Sequence, residues 1–251
     1  VLTTCASLAA STRQRSQEKE GANKHMDKFS FQTALAQKTD ISCVQALHTY
    51  AEIDRMIEAA IKYHFAAVFT LPAFSSYVAK KLRQFPEIHT GGVISFPSGG
   101  DTSIQKMRQA AELLEAGCQE LDMVMNLTAF KSQEYGDVVQ DIIGVRRQSD
   151  SAILKVIIEA PQLSEKEIRK AVDLCVDGGA DYVKTSTGWY PAHPSALEQI
   201  QIMANQAAGR IKIKAAGGIR SLETIYAMQQ AGCNRFGIGL SSALALFRDI
   251  P

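Results

Sequence analysis

The chain has 251 residues, of which 46% are hydrophobic and 21% charged, and a formal net charge of +1. This length suits one large domain or two small ones, and the composition is that of a globular protein able to bury a sizeable core. The near-neutral charge implies no strongly basic face of the kind that binds nucleic acid, and the longest apolar runs, such as residues 153–158, are interrupted by charge and too short to span a bilayer. Five cysteines (Cys5, Cys43, Cys118, Cys175 and Cys233) show neither a CxxC pair nor metal-type spacing, which reads as reduced thiols in a soluble, cytoplasmic protein.

From the N-terminus, residues 1–10 are mildly apolar and residues 11–24 polar, highly charged and aperiodic. A secretory signal needs a charged start followed by an apolar stretch, and here the order is reversed. Residues 1–25 therefore read as a disordered arm or an artificial leader ahead of Met26, and residues 26–251 as the folded domain. From about residue 40, short β-branched runs alternate with amphipathic helical stretches. The strand-like runs are 40–44, 66–71, 92–96, 120–125, 153–159, 182–185, 211–215 and 235–238, spaced by roughly the length of one βα unit. Thr102-x-x-Gln105, Ser164-x-x-Glu167 and Ser195-x-x-Glu198 match capping boxes at helix starts. Gly117, Gly178-Gly179 and Gly232 punctuate helix ends, where glycine can take the left-handed conformation.

Eight βα units without a linker or low-complexity stretch predict a single-domain α/β fold, the closed (β/α)8 TIM barrel. The alternative is an open doubly wound sheet, which usually carries a GxGxxG fingerprint after its first strand; none stands there.

In such a barrel the chemistry sits at the C-terminal ends of the strands and on the loops that follow. Four charged residues interrupt apolar strands: Asp122 on the fourth, Lys155 on the fifth, Lys184 on the sixth and Lys214 on the seventh. If all point inward, three ammonium groups and one carboxylate share a cavity. Such a cluster must pair internally or shift its pKa values, because each ammonium disfavours another nearby. A lysine depressed in this way is an amine nucleophile for a carbonyl. The plainer readings stand beside this one. A strand-end lysine is often solvated, which suits Lys212 and competes for Lys155, and Asp122 alone could be a structural ion-pair partner. Loops rich in glycine and hydroxyls follow strands six to eight, at Thr185-Ser186-Thr187-Gly188, Ala216-Gly217-Gly218 and Gly237-Ile238-Gly239 with Ser241-Ser242 beyond. Backbone amides there can approach an anion closely. The five histidines (His25, His48, His64, His89 and His193) are scattered, each most simply a surface or helix-end residue, so no metal is expected.

Residues 155–159 (KVIIE), 181–188 (DYVKTSTG), 214–220 (KAAGGIR) and 235–237 (RFG), with 121–126 (LDMVMN), resemble the deoxyribose-phosphate aldolase family, in order over residues 40–250. The resemblance implies a TIM-barrel class I aldolase without cofactor or metal, cleaving 2-deoxy-D-ribose 5-phosphate reversibly to acetaldehyde and glyceraldehyde 3-phosphate. It implies that Lys184 forms the imine, that Lys214 keeps that amine neutral enough to attack, and that Asp122 serves the proton transfers. Lys155, Thr187, Gly188, Gly217, Gly218, Gly237 and Gly239 would surround the phosphorylated substrate. The chain departs from the family pattern at three places. Asp40-Ile41-Ser42 replaces Asp-His-Thr, Phe69-Thr70-Leu71-Pro72 replaces Cys-x-Asn-Pro, and the Gly-x-Ser-Ser loop reads Gly-Ile-Gly-Leu-Ser-Ser, its serines displaced by two. Two other functions stay open on the sequence: a same-fold class I aldolase for another sugar or keto-acid phosphate, and a barrel that only binds a phosphorylated ligand. The expected partner is a small phosphorylated sugar or aldehyde, with no nucleic acid and no membrane. A homo-oligomer is left open, since no residue pattern marks an interface.

Overall fold

Alternation along each strand sorts the residues of this chain into two unlike layers. In the computed structural model, residues 28–250 are described except 191, 193 and 249; the segment 1–25, with Cys5 and His25, and also His193, lies outside them. The strands are β1 (Thr39–Cys43), β2 (Ala67–Thr70), β3 (His89–Ile94), β4 (Glu120–Val124), β5 (Ile153–Ile157), β6 (Tyr182–Lys184), β7 (Lys212–Ala216) and β8 (Arg235–Gly239). All pair in parallel with their sequence neighbours, and β8 returns onto β1, closing the barrel. The open-sheet alternative is thereby excluded. The largest boundary difference is at β3, which starts three residues earlier than the β-branched pattern indicates, at His89.

Side chains of successive strand residues point to opposite faces. Ile41, Val68, Leu121, Met123, Leu154, Val156, Val183, Ile213 and Phe236 face outward and form one core with the helices. The inward set is richer in charge: Asp40, Asp122, Lys155, Lys184 and Lys214 are all buried beside apolar residues such as Val124 and Ile157, and among the described residues Ala67, Phe69 and Val93 make an apolar cluster apart from the main core. The barrel is held from outside by hydrophobic packing, and its lumen holds the charged groups.

The helices start and stop for local reasons. Helix α1 (Lys28–Ala36) precedes β1, and α2 (Tyr50–Tyr63) begins with a capping box of Thr49 and Glu52. Helix α3 (Ser75–Leu82) follows β2, and α4 (Ser103–Glu115) carries the expected box of Thr102 and Gln105. After β4 come α5 (Leu127–Lys131) and α6 (Tyr135–Gln148), and then α7 (Glu165–Asp177), boxed by Ser164 and Glu167. Helices α8 (Leu197–Ala207), α9 (Leu222–Gln230) and α10 (Leu240–Arg248) complete the ring. The third expected box is not formed. Helix α8 starts one residue later, its N-cap is Ala196, and the Ala196 N–H donates to Gln199 Oε1 at 3.0 Å. Ser195 instead turns inward, with its hydroxyl 2.8 Å from Thr185 Oγ1, tying the loop after β6 to that strand. At Gly117 and Gly232, φ is +97° and +105°, the left-handed geometry that ends α4 and α9. Cys43, Cys118, Cys175 and Cys233 are free and buried. No helix among the described residues is long and apolar enough to cross a membrane.

A buried ion pair links two helices behind β4. Lys106 on α4 places its Nζ 2.6 Å from Asp141 Oδ2 on α6 and 3.0 Å from the Val124 carbonyl at the end of β4. Burial pulls the Lys106 pKa down and Asp141 opposes this. Asp141→Ala should therefore destabilise the fold by about 3–5 kcal/mol in urea denaturation, since the ammonium loses its partner. The paired change Lys106→Met with Asp141→Leu should recover most of that loss.

Candidate active site

The parallel register stacks the charged positions. Asp122 lies opposite Lys155, Lys184 opposite Lys214, and Lys214 opposite Arg235. Asp122 Oδ2 is 2.6 Å from Lys184 Nζ and 2.7 Å from Lys214 Nζ, while its Oδ1 is 3.2 Å from Lys155 Nζ. The four residues singled out in the sequence thus converge on one carboxylate. The sequence reading missed three further members. Asp40 Oδ2 is 2.6 Å from Lys214 Nζ, Glu120 binds Lys155, and Arg235 bridges Asp40 and Glu120 through Nε at 2.6 Å and Nη2 at 3.0 Å. Strand periodicity was the signal for two of them: Glu120 lies two residues before Asp122 and Arg235 two before Gly237, on the same inward faces. His89 is not a bystander either; its Nδ1 lies 2.8 Å from Glu120 Oε1 at the N-terminal end of the barrel.

Burial alone would raise the pKa of Asp122, but the ammoniums of Lys155, Lys184 and Lys214 outweigh it and hold the carboxyl well below its usual range. Lys155 is held above the usual lysine range, because Asp122, Glu120 and Asp40 overcome its burial. Lys214 goes the other way. Burial pushes its pKa down, Lys184 and Lys155 push with it, and Asp122 and Asp40 offset this only in part, leaving the amine at about 8 against an ordinary 10.5.

A cavity of about 260 Å³ opens above this cluster, lined by Asp122, Lys184 and Lys214 together with Thr187, Gly188, Gly217, Gly218, Gly237 and Gly239. Lys184 is 7% exposed, Lys214 1% and Lys155 0%, so Lys184 is the amine most open to a substrate. Lys155 does not line the cavity; it sits in the layer beneath, spent on Glu120 and Asp122. Lys212, at the start of β7, is exposed as the solvated reading expects, with its ammonium 5.4 Å from the Tyr182 ring centroid.

The loop residues divide by what their donors are free to do. The Thr187 hydroxyl donates to Glu159 at 2.6 Å, and the Gly188 N–H donates to Ser186 Oγ at 2.9 Å, so these two shape the loop. Gly217 and Gly218, at φ +90° and +80°, donate their N–H groups to no protein acceptor among the described residues. A Cβ on Gly237 would lie 3.2 Å from Lys214 Cε, so this glycine makes room for the lysine stem. Gly239 has open space where a Cβ would stand. Helix α10 starts directly after it, and Ser241 and Ser242 in the first turn still line the cavity despite their displacement along the chain. Arg220, His48 and Phe69 also line it, and none of these was singled out as a site residue.

The Lys214 shift carries a stability signature. Between about pH 8 and 10.5 the unfolded chain binds more protons than the folded one, so stability conferred by this site rises with pH across that window. Below about pH 8 the full cost of burying the ammonium is present. In urea denaturation from pH 7.5 to 10, wild type should therefore gain stability relative to Lys214→Met. A constant difference between the two would remove the depressed amine from this position.

A profile of the DeoC/LacD family aldolases matches residues 21–249. The deoxyribose-phosphate aldolase of Klebsiella pneumoniae subsp. pneumoniae is 37% identical over 232 residues, 91% of this chain and 93% of that protein. That of Sinorhizobium medicae is 40% identical over 215 residues, 86% of each chain. Among solved structures, the aldolase QR15 superposes with a TM-score of 0.80 at 36% identity, over 86% of this chain and 95% of that one. Deoxyribose phosphate aldolase from Aeropyrum pernix gives a TM-score of 0.78 at 28% identity, over 92% and 94%. With a charged lumen beneath an open cavity, and with relatives of this identity along most of its length, the chain belongs to the DeoC/LacD family of aldolases.

Proposed function

We propose that the protein cleaves 2-deoxy-D-ribose 5-phosphate reversibly to acetaldehyde and glyceraldehyde 3-phosphate through an imine on Lys184. The observation that carries this reading is the shared carboxylate: Lys184, the most exposed of the three amines, donates to the same Asp122 oxygen as Lys214. The choice of substrate follows the relatives, which are deoxyribose-phosphate aldolases.

Attack on the C1 aldehyde requires a neutral amine. Asp122 Oδ2, between the two amines, offers a path for the proton that Lys184 must lose, and Lys214 titrates close enough to neutrality to take part. Lys184 Nζ adds to C1, the carbonyl oxygen is protonated, and loss of water leaves the iminium. Removal of the C3 hydroxyl proton then breaks the C2–C3 bond. C3 leaves as the aldehyde of glyceraldehyde 3-phosphate, and the bonding pair remains on C2 as an enamine. Protonation at C2 and hydrolysis release acetaldehyde and free Lys184. Asp122 and Lys214 serve these transfers, while Lys155 acts from beneath by holding Asp122 Oδ1.

The phosphate is assigned to the Gly217 and Gly218 amides and the start of α10 with Ser241 and Ser242. A helix N-terminus presents unpaired N–H groups and a positive dipole end to an anion. Arg220 adds a full charge at the same cavity. Thr187 and Gly188 hold the loop around it. A cytoplasmic location and assembly into a homo-oligomer belong to this reading; the Aeropyrum pernix relative is described as tetrameric.

Borohydride reduction with acetaldehyde should leave an N-ethyl-lysine on Lys184, located by peptide mass spectrometry. Lys184→Ala and Lys184→Arg should both lose turnover, since a guanidinium keeps the charge but cannot attack a carbonyl. Substantial activity in Lys184→Arg would overturn the imine. For the phosphate, Gly239→Val is a cleaner probe than a change at Gly217, whose φ of +90° disfavours any side chain. It should lower kcat/KM for deoxyribose 5-phosphate much more than for free deoxyribose, because phosphate binding positions the far carbonyl.

A further inference from the structure

Two amines in this barrel border the cavity. Lys184 opens into the cavity, and Lys214, with its pKa near 8, is also a competent nucleophile by protonation state. The two are neighbours in register, so proximity to the substrate does not separate them. What separates them is cover.

Phe69 lies against the more enclosed of the two. It stands on β2 opposite Ser42 and Gly91, points into the lumen and is 2% exposed. Its ring centroid is 4.2 Å from Lys214 Nζ and 4.6 Å from Lys155 Nζ, so one aromatic ring meets two ammoniums. The ring is pinned from behind, where a Cβ on Gly91 would come within 2.4 Å of Phe69 Cζ. Ala67 and Val93 flank it, with Val44, Leu71 and Phe96 behind. On its other sides Lys214 faces Asp40 of β1, Asp122 of β4, Lys155 of β5, Lys184 of β6 and Arg235 of β8, and its stem lies against Gly237.

We propose that Phe69 is the positioning residue that keeps Lys214 from acting as a second nucleophile: its ring shields that amine from the substrate carbonyl, and its π face holds the ammonium against the shared carboxylates. This rests on the imine reading of Lys184. An ammonium over an aromatic face is attracted by the ring quadrupole, and the attraction strengthens where water is excluded. Lys214 is thereby confined to moving protons, and carbon–nitrogen bond formation is left to Lys184.

The test separates cover from charge. With acetaldehyde and borohydride, wild type should be labelled at Lys184 and Lys184→Ala at neither lysine. Adding Phe69→Ala to Lys184→Ala should raise labelling of Lys214 at least about tenfold, the equivalent of about 1.4 kcal/mol in accessibility. A folded double variant, by near-ultraviolet circular dichroism, that leaves Lys214 unlabelled overturns the shielding role. Phe69→Leu keeps an apolar side chain but removes the ring face. The bend in the stability difference between Phe69→Leu and Phe69→Leu/Lys214→Met should then lie about half to one pH unit below that of the parent pair. An unmoved or raised bend overturns the cation–π role. Should wild type label at no lysine, the imine reading fails; the substrate-free pH comparison still decides what the ring does.

Discussion

A single buried carboxylate organises the interior of this barrel. Asp122 is fully enclosed and meets an ammonium on each of three strands, two of them through the same oxygen. Removing any charge from water is expensive, and an ion pair so deeply buried is weak ground for stability; apolar residues of similar size often do as well or better. Stability alone therefore does not account for the cluster, in keeping with the chemistry proposed for it. Asp40, Asp122 and Glu120 oppose Lys155, Lys184, Lys214 and Arg235, three carboxylates against four cations. At Lys214 burial is the dominant force, helped by the ammoniums of Lys184 and Lys155, and it outweighs Asp122 and Asp40, whereas Lys155, which has three carboxylates around it, is pinned in its charged form.

The outer layer makes this interior tolerable. Because outward-facing strand residues and the helices form one continuous apolar core, the lumen need not contribute much hydrophobic burial. The Lys106–Asp141 pair shows the same division from the other side. Its ammonium also reaches the Val124 carbonyl, so the strand that carries Asp122 is anchored by helices that never touch the cavity.

Fold and chemistry were legible to different depths. Eight β-branched runs at βα spacing, with capping boxes at Thr102 and Ser164, were enough for the closed barrel, because short-range propensity and topology agree there. Lysines and an aspartate inside apolar strands announced the site, since burying charge in such runs is costly unless the charges meet one another. Glu120 escaped as a strand-opening residue and Arg235 as part of a motif, although period-two alternation places both inward. Ser195 misled for a specific reason. Its Ser-x-x-Glu pattern is a valid local cap, but the hydroxyl is taken by Thr185 across the loop, a tertiary contact with no local signal. That Thr187 and Gly188 border the cavity was legible, but not what their donors do. Which hydrogen bonds they spend on Glu159 and Ser186 depends on how the loop turns back on itself.

The displaced serines illustrate how a barrel absorbs a change in sequence spacing. Placing Ser241 and Ser242 two residues further along would carry them away from the mouth if β8 ended where the shorter motif ends. Here the strand itself continues to Gly239, and helix α10 begins at the next residue. A shift of two preserves the face on which strand residues point, so Gly239 inherits the inward position two beyond Gly237. The serines then fall in the first helical turn, beside N–H groups that have no intrahelical acceptor. The donors at this part of the rim thus come from a helix start. They face the same cavity as Lys184, so strand end and helix start together bring the hydroxyls to the amine's side of the barrel.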